Sequence, residues 1–326
     1  MADVSRCFLG IDIGNTRSRV VLVHDSRIVA RSLLQRSAND GFHQVADAVT
    51  DRARSMVKRR GLSGDDLGGA GVGFGGPVDA DKGVALRSHN APGWRRAPLK
   101  SAFEDRLGVP VLLENDANAA AWGEYVCSYS SRYRHVFYMT ISTGVGGGII
   151  ADGRLYRGQK GLSGEIGHVI VHPDGPECAC GNRGCLESLV SGASIARRVE
   201  RETRMDTQLA ARLRRFADGD GRVTSKGLHQ AALENEPFAL AVWQDVGRDL
   251  ASGLRTAVRL LDPEAIVLGG GVVKARRFFM PEMKRVLEED EMISRFSRPR
   301  IHFSRLGDFS VAYGAAMLCA DAALRD

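Results

Sequence analysis

A chain of 326 residues can bury one large core or two moderate ones, and two lobes are favoured at that length. With 44% hydrophobic and 26% charged residues, the composition excludes disordered and fibrous classes, and no apolar run approaches the length of a membrane span. The net charge of +6 raises the question of nucleic acid, but the basic clusters at 52–60 and 197–215 are interrupted by acidic and apolar residues and read as solvated helix faces. The first residues lack an apolar segment followed by a small-residue cleavage site, so a cytoplasmic protein with reduced cysteines is expected.

In chain order, residues 7–13 and 19–23 are β-rich runs joined at Gly14-Asn15-Thr16, a hairpin with a polar tip. Residues 42–60 carry Val45, Ala46, Val49, Ala53, Met56 and Val57 at helical spacing, and 98–107 is a second amphipathic helix. A buried strand at 109–113 runs into Glu114-Asn115-Asp116, and a helix over 117–125 follows. Asp116 thus stands at a strand-to-helix junction, where open α/β sheets place ligands and catalytic groups. Taken alone, the more ordinary use of an Asp there is as a helix cap. Residues 136–142 form a strand, Thr143-Gly144-Val145-Gly146-Gly147 a turn, and 148–151 the next strand, so the logic of the first hairpin recurs. Helices are expected at 186–202, 225–233, 237–261 and 280–289. A short strand at 265–268 enters Gly269-Gly270-Gly271, and a strand near 300–303 precedes a last helix at 311–323.

Glycines in such turns let backbone N–H groups approach phosphate oxygens with no Cβ in the way, which is the chemical use of Gly14, Gly144, Gly146 and Gly147. Asp12 beside the first turn can hold hydrated Mg²⁺, with Thr16 and Thr143 supplying hydroxyls. Cys178, Cys180 and Cys185, with His168 ten residues before the first of them, offer the ligand set of a closed tetrahedral zinc site. Four protein ligands leave no position for a reactive water, so the metal is expected to be structural. The segment 176–189 carries a single Arg, which argues against a zinc-dependent nucleic-acid module.

Taken together, Asp12–Thr16, the loop 71–79, Asn90-Ala-Pro-Gly-Trp94, Asn115–Ala120, Ser142–Gly148, Gly164-Glu-Ile-Gly-His168, the Cys178–Glu187 segment and Gly269–Gly271 resemble the ROK family (repressor, open reading frame, kinase) of bacterial sugar kinases, within the actin–hexokinase superfamily. The resemblance covers essentially the whole chain. It implies an α/β, two-lobed actin-like ATPase (ribonuclease H-like) fold with a ligand cleft between the lobes: residues 1–117 with 311–326 as the smaller, 118–310 as the larger. It implies that Asp12, Gly14 and Thr16 form the first phosphate loop, that Thr143, Gly144 and Gly146 form the second, and that Gly269 and Gly270 lie against adenosine. Asn90, Asn115, Asp116, Glu165, His168 and Glu187 would hold the sugar, Asp116 acting as catalytic base and His168 using its second ring nitrogen on zinc. Loss of zinc is then expected to reach the sugar first, since the Gly14 and Gly144 turns lie elsewhere in sequence.

The implied activity is transfer of the γ-phosphoryl group of ATP, with Mg²⁺, to the 6-hydroxyl of glucose. N-acetylglucosamine and N-acetylmannosamine are the alternative substrates, and a homodimer is the expected assembly. A sugar-responsive regulator of the same family would carry a helix-turn-helix. None is expected, because the first phosphate hairpin begins by residue 8, so no nucleic-acid or membrane partner is assigned. The chain departs from the family pattern at Asn15 and Arg17, where Gly and Lys are frequent, and at Gly75, where Pro is usual.

Overall fold

The computed structural model describes residues 6–37, 40–86 and 94–324. Its strands are β1 (Cys7–Ile13), β2 (Arg17–His24), β3 (Arg27–Gln35), β4 (Leu67–Phe74), β5 (Val78–Asp79), β6 (Val84–Ala85), β7 (Val111–Asn115), β8 (Val136–Ile141), β9 (Val145–Ala151), β10 (Arg154–Tyr156), β11 (Ala265–Gly269) and β12 (Arg300–Phe303). Its α-helices are α1 (Phe42–Arg59), α2 (Leu99–Leu107), α3 (Asp116–Glu124), α4 (Leu186–Val190), α5 (Gly192–Met205), α6 (Thr207–Leu213), α7 (Ser225–Leu233), α8 (Pro237–Leu261), α9 (Arg276–Glu288) and α10 (Ser310–Ala323). They form two compact units. One comprises Met1–Arg134, Gly148–Gly164 and Ser304–Asp326; the other comprises His135–Gly147 and Glu165–Phe303.

In the first unit a five-stranded sheet runs in the order β3-β2-β1-β4-β7. The meander β1–β3 is antiparallel, while β4 and β7 lie parallel to β1 and to each other. Alternation along β2 sends Val20 and Leu22 into the cluster beneath α1 and sends Val21 and Val23 against Ala312, Tyr313 and Ala316 of α10. The approach of α10 is close enough that a Cβ on Gly71 would collide with the Ala315 carbonyl. β4, Leu-Gly-Gly-Ala-Gly-Val-Gly-Phe, is buried throughout. Its glycines read as loop in the sequence, yet they are what a central strand needs when a helix backbone lies on it.

The boundary between units differs from the one expected after residue 117. Residues 118–134 and 148–164 join the first unit, because α10 packs along α3 and because Arg157, just after β10, pairs with Glu114 at the end of β7 (Nε to Oε2, 2.5 Å). The last residue of α3 completes the junction. Glu124 is 1% exposed and accepts hydrogen bonds from Ser304 Oγ (2.5 Å), Ser310 Oγ (2.8 Å), Arg305 N (2.9 Å) and Leu306 N (3.1 Å).

The second sheet runs β10-β9-β8-β11-β12, with β8, β11 and β12 parallel. Helices α4–α9 belong to the second unit. The single helix expected over 186–202 is two: Ser191 is extended (φ −67°, ψ 154°) and its Oγ accepts from Ser194 N at 3.1 Å, so a helix cap sits inside the apolar run. Among the described residues no helix is long and apolar enough to cross a membrane.

Replacing Glu124 with Ala removes the acceptor for two part-buried backbone N–H groups and two hydroxyls. The expected cost is about 2–4 kcal/mol, read as a lowered thermal midpoint with little change in the far-ultraviolet circular dichroism of the surviving fold.

Candidate functional site

The strand-to-helix junction of the first unit resolves which residue caps α3. Asn115 is the N-cap, extended at φ −63°, ψ 144°, and its Oδ1 accepts from Ala117 N (2.9 Å) and Asn118 N (3.1 Å). Its Nδ2 donates to the Gly76 carbonyl at 3.2 Å. The carboxamide expected to touch sugar is therefore engaged at both ends in holding the junction. Asp116 becomes the first helical residue, with Oδ1 accepting from Ala117 N at 2.8 Å. Its Oδ2 would stand 3.3 Å from a Cβ at position 75, so Gly75 keeps the carboxylate uncrowded. Below it lies Glu114, 1% exposed and not singled out in the sequence. Its Oε1 accepts from Asn115 N (2.9 Å) and Asn118 Nδ2 (3.1 Å), and its Oε2 takes the bond from Arg157.

The first hairpin also lies in this unit. The turn between β1 and β2 is closed by Gly14 N donating to the Arg17 carbonyl at 3.1 Å, and Thr16 is exposed. Asp12 is buried, and Arg19 directly opposite it on β2 donates Nη1 to its Oδ2 at 2.8 Å. Burial pushes the carboxyl up to about 6 despite that guanidinium. Asn90 lies outside the described residues.

In the second unit the glycine turn is shorter than expected: β9 begins at Val145, and Ser142 N donates to the Gly144 carbonyl at 2.8 Å. Thr143 is exposed at its tip. Gly270 stands in the left-handed region (φ 89°), and any Cβ there would run into the backbone of Ile141, so the turn after β11 requires glycine.

His168, Cys178, Cys180 and Cys185 bring one imidazole nitrogen and three sulfurs within 4.8 Å of one another. Cys178 Sγ lies 3.7 Å from His168 Nδ1, and Cys180 Sγ lies 3.6 Å from Cys185 Sγ. A tetrahedron built on Zn–S bonds of about 2.3 Å has edges of about 3.8 Å, so the donor set fits zinc. Gly181 (φ 96°) and Gly184 (φ 68°) make the tight turns between the ligands. The thiols differ: the backbone N–H of Asn182 draws Cys180 down to about 7, whereas burial pushes Cys185 up to about 12. The second nitrogen of His168, Nε2, faces Glu165 Oε2 at 3.9 Å.

Glu187 is placed differently from its expected role. Cys185 is the N-cap of α4, and two residues later Glu187 Oε2 accepts from Val145 N at 2.8 Å. A Cβ on Gly144 would sit 2.5 Å from that same oxygen. Immediately beyond α4, Gly192 N donates to the Ser142 carbonyl at 2.7 Å. The cysteine segment thus continues directly into the brace of the second glycine turn. The expectation that this turn is remote from the metal is corrected: it is distant in sequence and hydrogen-bonded in space.

These features define an α/β protein of the actin-like ATPase fold, and the chain belongs to the ROK family, whose profile matches residues 8–322. Among its relatives, a glucokinase of Halalkalibacterium halodurans is 34% identical over 287 residues, 87% of this chain and 86% of that protein. A crystal structure of a ROK family glucokinase from Streptomyces griseus in complex with glucose and AMPPNP superposes with a TM-score of 0.80 at 32% identity, covering 97% of this chain and 99% of that one. A xylose repressor of Caldicellulosiruptor bescii is 26% identical over 96% of this chain and 78% of its own length.

About one zinc per chain is expected on metal analysis. Chelation, or Cys180→Ser, should weaken sugar and nucleotide binding together, each by about 10-fold or more, because the segment that carries the thiolates also holds Val145. Calorimetry with each ligand separately checks this; an unchanged nucleotide affinity in metal-free, folded protein would contradict it.

Proposed function

We propose that the chain is an ATP-dependent hexose kinase transferring the γ-phosphoryl group to the 6-hydroxyl of glucose. The observation that carries this reading is the division of labour at the β7–α3 junction. Asn115 performs the helix cap, so Asp116 enters α3 as its first residue, with Oδ1 accepting from Ala117 N at 2.8 Å. The likeness to glucokinases over most of the chain supports the choice of glucose.

Phosphoryl transfer to an alcohol asks the protein mainly for positioning and charge neutralisation. Asp116 accepts the proton of the attacking hydroxyl, and Asn115 and Glu114 set its direction. Asp12, Gly14 and Thr16 address the phosphates and Mg²⁺ from the first unit. Within the second unit, Thr143, Gly144 and Gly146 offer donors for phosphate, and Gly269 and Gly270 a surface for adenosine. Glu165 and His168 hold sugar hydroxyls through groups that the zinc loop orients, and Glu187 positions the Gly144 turn as well. Held by His168, Cys178, Cys180 and Cys185, zinc would gather the thiolate charge and fix the His168 ring. Reduced thiols suit a cytoplasmic protein, and the family resemblance points to a homodimer.

The test is ADP release in the presence of Mg²⁺ and ATP across glucose, mannose, N-acetylglucosamine and N-acetylmannosamine at equal concentration, with the product's phosphorylated position read by NMR. Glucose is expected to be turned over fastest, and no turnover of any hexose would reject the kinase reading. Asp116→Asn should preserve the fold and sugar affinity while kcat falls by about 10²–10⁴. Near-normal turnover in that variant would remove Asp116 as base.

A further inference from the structure

Two limbs of chain carry the four-donor cluster of the second unit. The incoming limb, 169–172, follows His168, and the outgoing limb, 184–186, contains Cys185. They are laced together as a short antiparallel ribbon. Ile170 pairs with Cys185, Val171 N donates to the Gly184 carbonyl at 2.8 Å, and Leu186 N donates to the Val169 carbonyl at 2.9 Å. The approach is close enough that a Cβ on Gly184 would collide with the His172 carbonyl. This ribbon sets where His168 stands relative to Cys185, and it needs something rigid to rest on.

Helix α8 supplies that support at two residues one turn apart. Asp249 and Gly253 are four apart in the helix and so lie on one face of it. Gly253 receives the outgoing limb: a Cβ there would sit 2.5 Å from Leu186 Cδ2, so the fully buried Leu186 lies against the helix backbone. Asp249 receives the incoming limb, its Oδ1 lying 2.8 Å from His172 Nε2. An apolar contact can slide, whereas a hydrogen bond to a carboxylate fixes distance and direction. The Asp249 side chain is largely buried and that of His172 half exposed. Among the described residues His172 makes the only hydrogen bond to this carboxylate. Burial pushes the Asp249 carboxyl up, and the imidazole draws it back. Arg198, whose charge also reaches Asp249, is bonded instead to Asp245 at 2.7 Å and is no substitute. If the incoming limb lifts, an enclosed carboxylate loses its bond, which costs more than parting an exposed ion pair.

We propose that His172 and Asp249 are positioning residues for zinc. Their bond seats the incoming limb on α8, so that His168 stands opposite the three thiols before the ion arrives. Zinc then closes a site already ordered and avoids the entropic cost of gathering a loose loop. The ion pair between Glu177 and Arg183, at 3.1 Å, has no such role, because both residues are exposed and belong to the loop tip itself. The positioning role rests on zinc in the four-donor cluster and not on which hexose the chain uses.

The experiment measures zinc affinity of the full chain by competition with a chromophoric chelator, records the absorption of the cobalt(II) form, and follows amide hydrogen exchange in zinc-free protein. His172→Ala should weaken zinc by about 10-fold, while cobalt(II) keeps the thiolate charge-transfer and d–d bands of the wild type, because no ligand is lost. Without metal, the amides of 169–186 should exchange about 10-fold faster in His172→Ala than in the wild type, with protection elsewhere retained. His172→Gln still offers a side-chain N–H to Asp249 and should return zinc affinity to within about 3-fold of the wild type. Arg183→Ala should change it by less than about 2-fold. Wild-type zinc affinity in His172→Ala would overturn the proposal, as would a glutamine variant no better than the alanine one. Changed cobalt bands would mark His172 as a ligand, and faster exchange throughout the chain would mark a residue that only holds the fold; either result rejects the positioning role. So does a zinc-free wild type whose 169–186 amides are already as unprotected as those of His172→Ala. A wild type that binds no zinc would sink the zinc reading together with this inference, whereas zinc bound equally well by wild type and His172→Ala would sink this inference alone.

Discussion

The first unit's chemistry depends on one hydrogen-bonded cap. Asn115 Oδ1 collects the N–H groups of Ala117 and Asn118, which terminates β7 and begins α3 at a defined residue. A helix started one residue later would carry Asp116 outside it, in the cap position itself. The cap is itself secured from beneath by Glu114, whose buried carboxylate is neutralised by Arg157 from a segment some forty residues away in the chain. A buried carboxylate without such a partner would be costly, so this ion pair explains why residues 148–164 travel with the first unit.

The second unit solves a comparable problem with a metal loop. Glycine turns offer donors to phosphates but have little intrinsic rigidity, because glycine retains the widest conformational choice. The turn at Gly144 is held by an external carboxylate, Glu187, which stands two residues past Cys185 in a helix that begins directly after that cysteine. One short stretch of chain therefore carries the three thiols of the four-donor cluster and the carboxylate that holds the Gly144 turn. At the other face of the loop His168 turns its remaining nitrogen toward Glu165. The ring has two chemically distinct nitrogens, and the fold gives each a different neighbour.

What could be read from the sequence was whatever is signalled locally. The tip at Gly14–Thr16, the helix at 42–60 and the junction at Asp116 are written in glycine placement, apolar spacing and a strand-ending carboxylate. The four-donor cluster of His168, Cys178, Cys180 and Cys185 was visible because its members lie close in sequence. Asn90 lies outside the described residues, so that expectation has no structural counterpart. What could not be read were partnerships closed by the fold: Glu114 with Arg157, Arg36 with Gly14, Glu187 with Val145. Each joins residues 22 or more apart, and no local pattern links one member to the other. The strand β4 escaped for a different reason. Its glycines are selected by the backbone of α10 lying on the sheet, a constraint that looks like a loop until the helix is in place.

The closing role of α10 has a consequence for how the protein is made. The sheet that begins with residue 7 is covered on one face by α10, with Ala119 and Trp122 of α3 packed beside it. Ribosomes deliver residues in order at about 5–20 per second, so Val21, Val23 and the glycine-lined face of β4 wait exposed while nearly three hundred residues are added. The second unit, built mostly from the continuous stretch Glu165–Phe303, is complete before the first can close. A nascent chain stalled or cut shortly before Ser310 would present an open apolar sheet, the kind of surface that chaperones bind and proteases find.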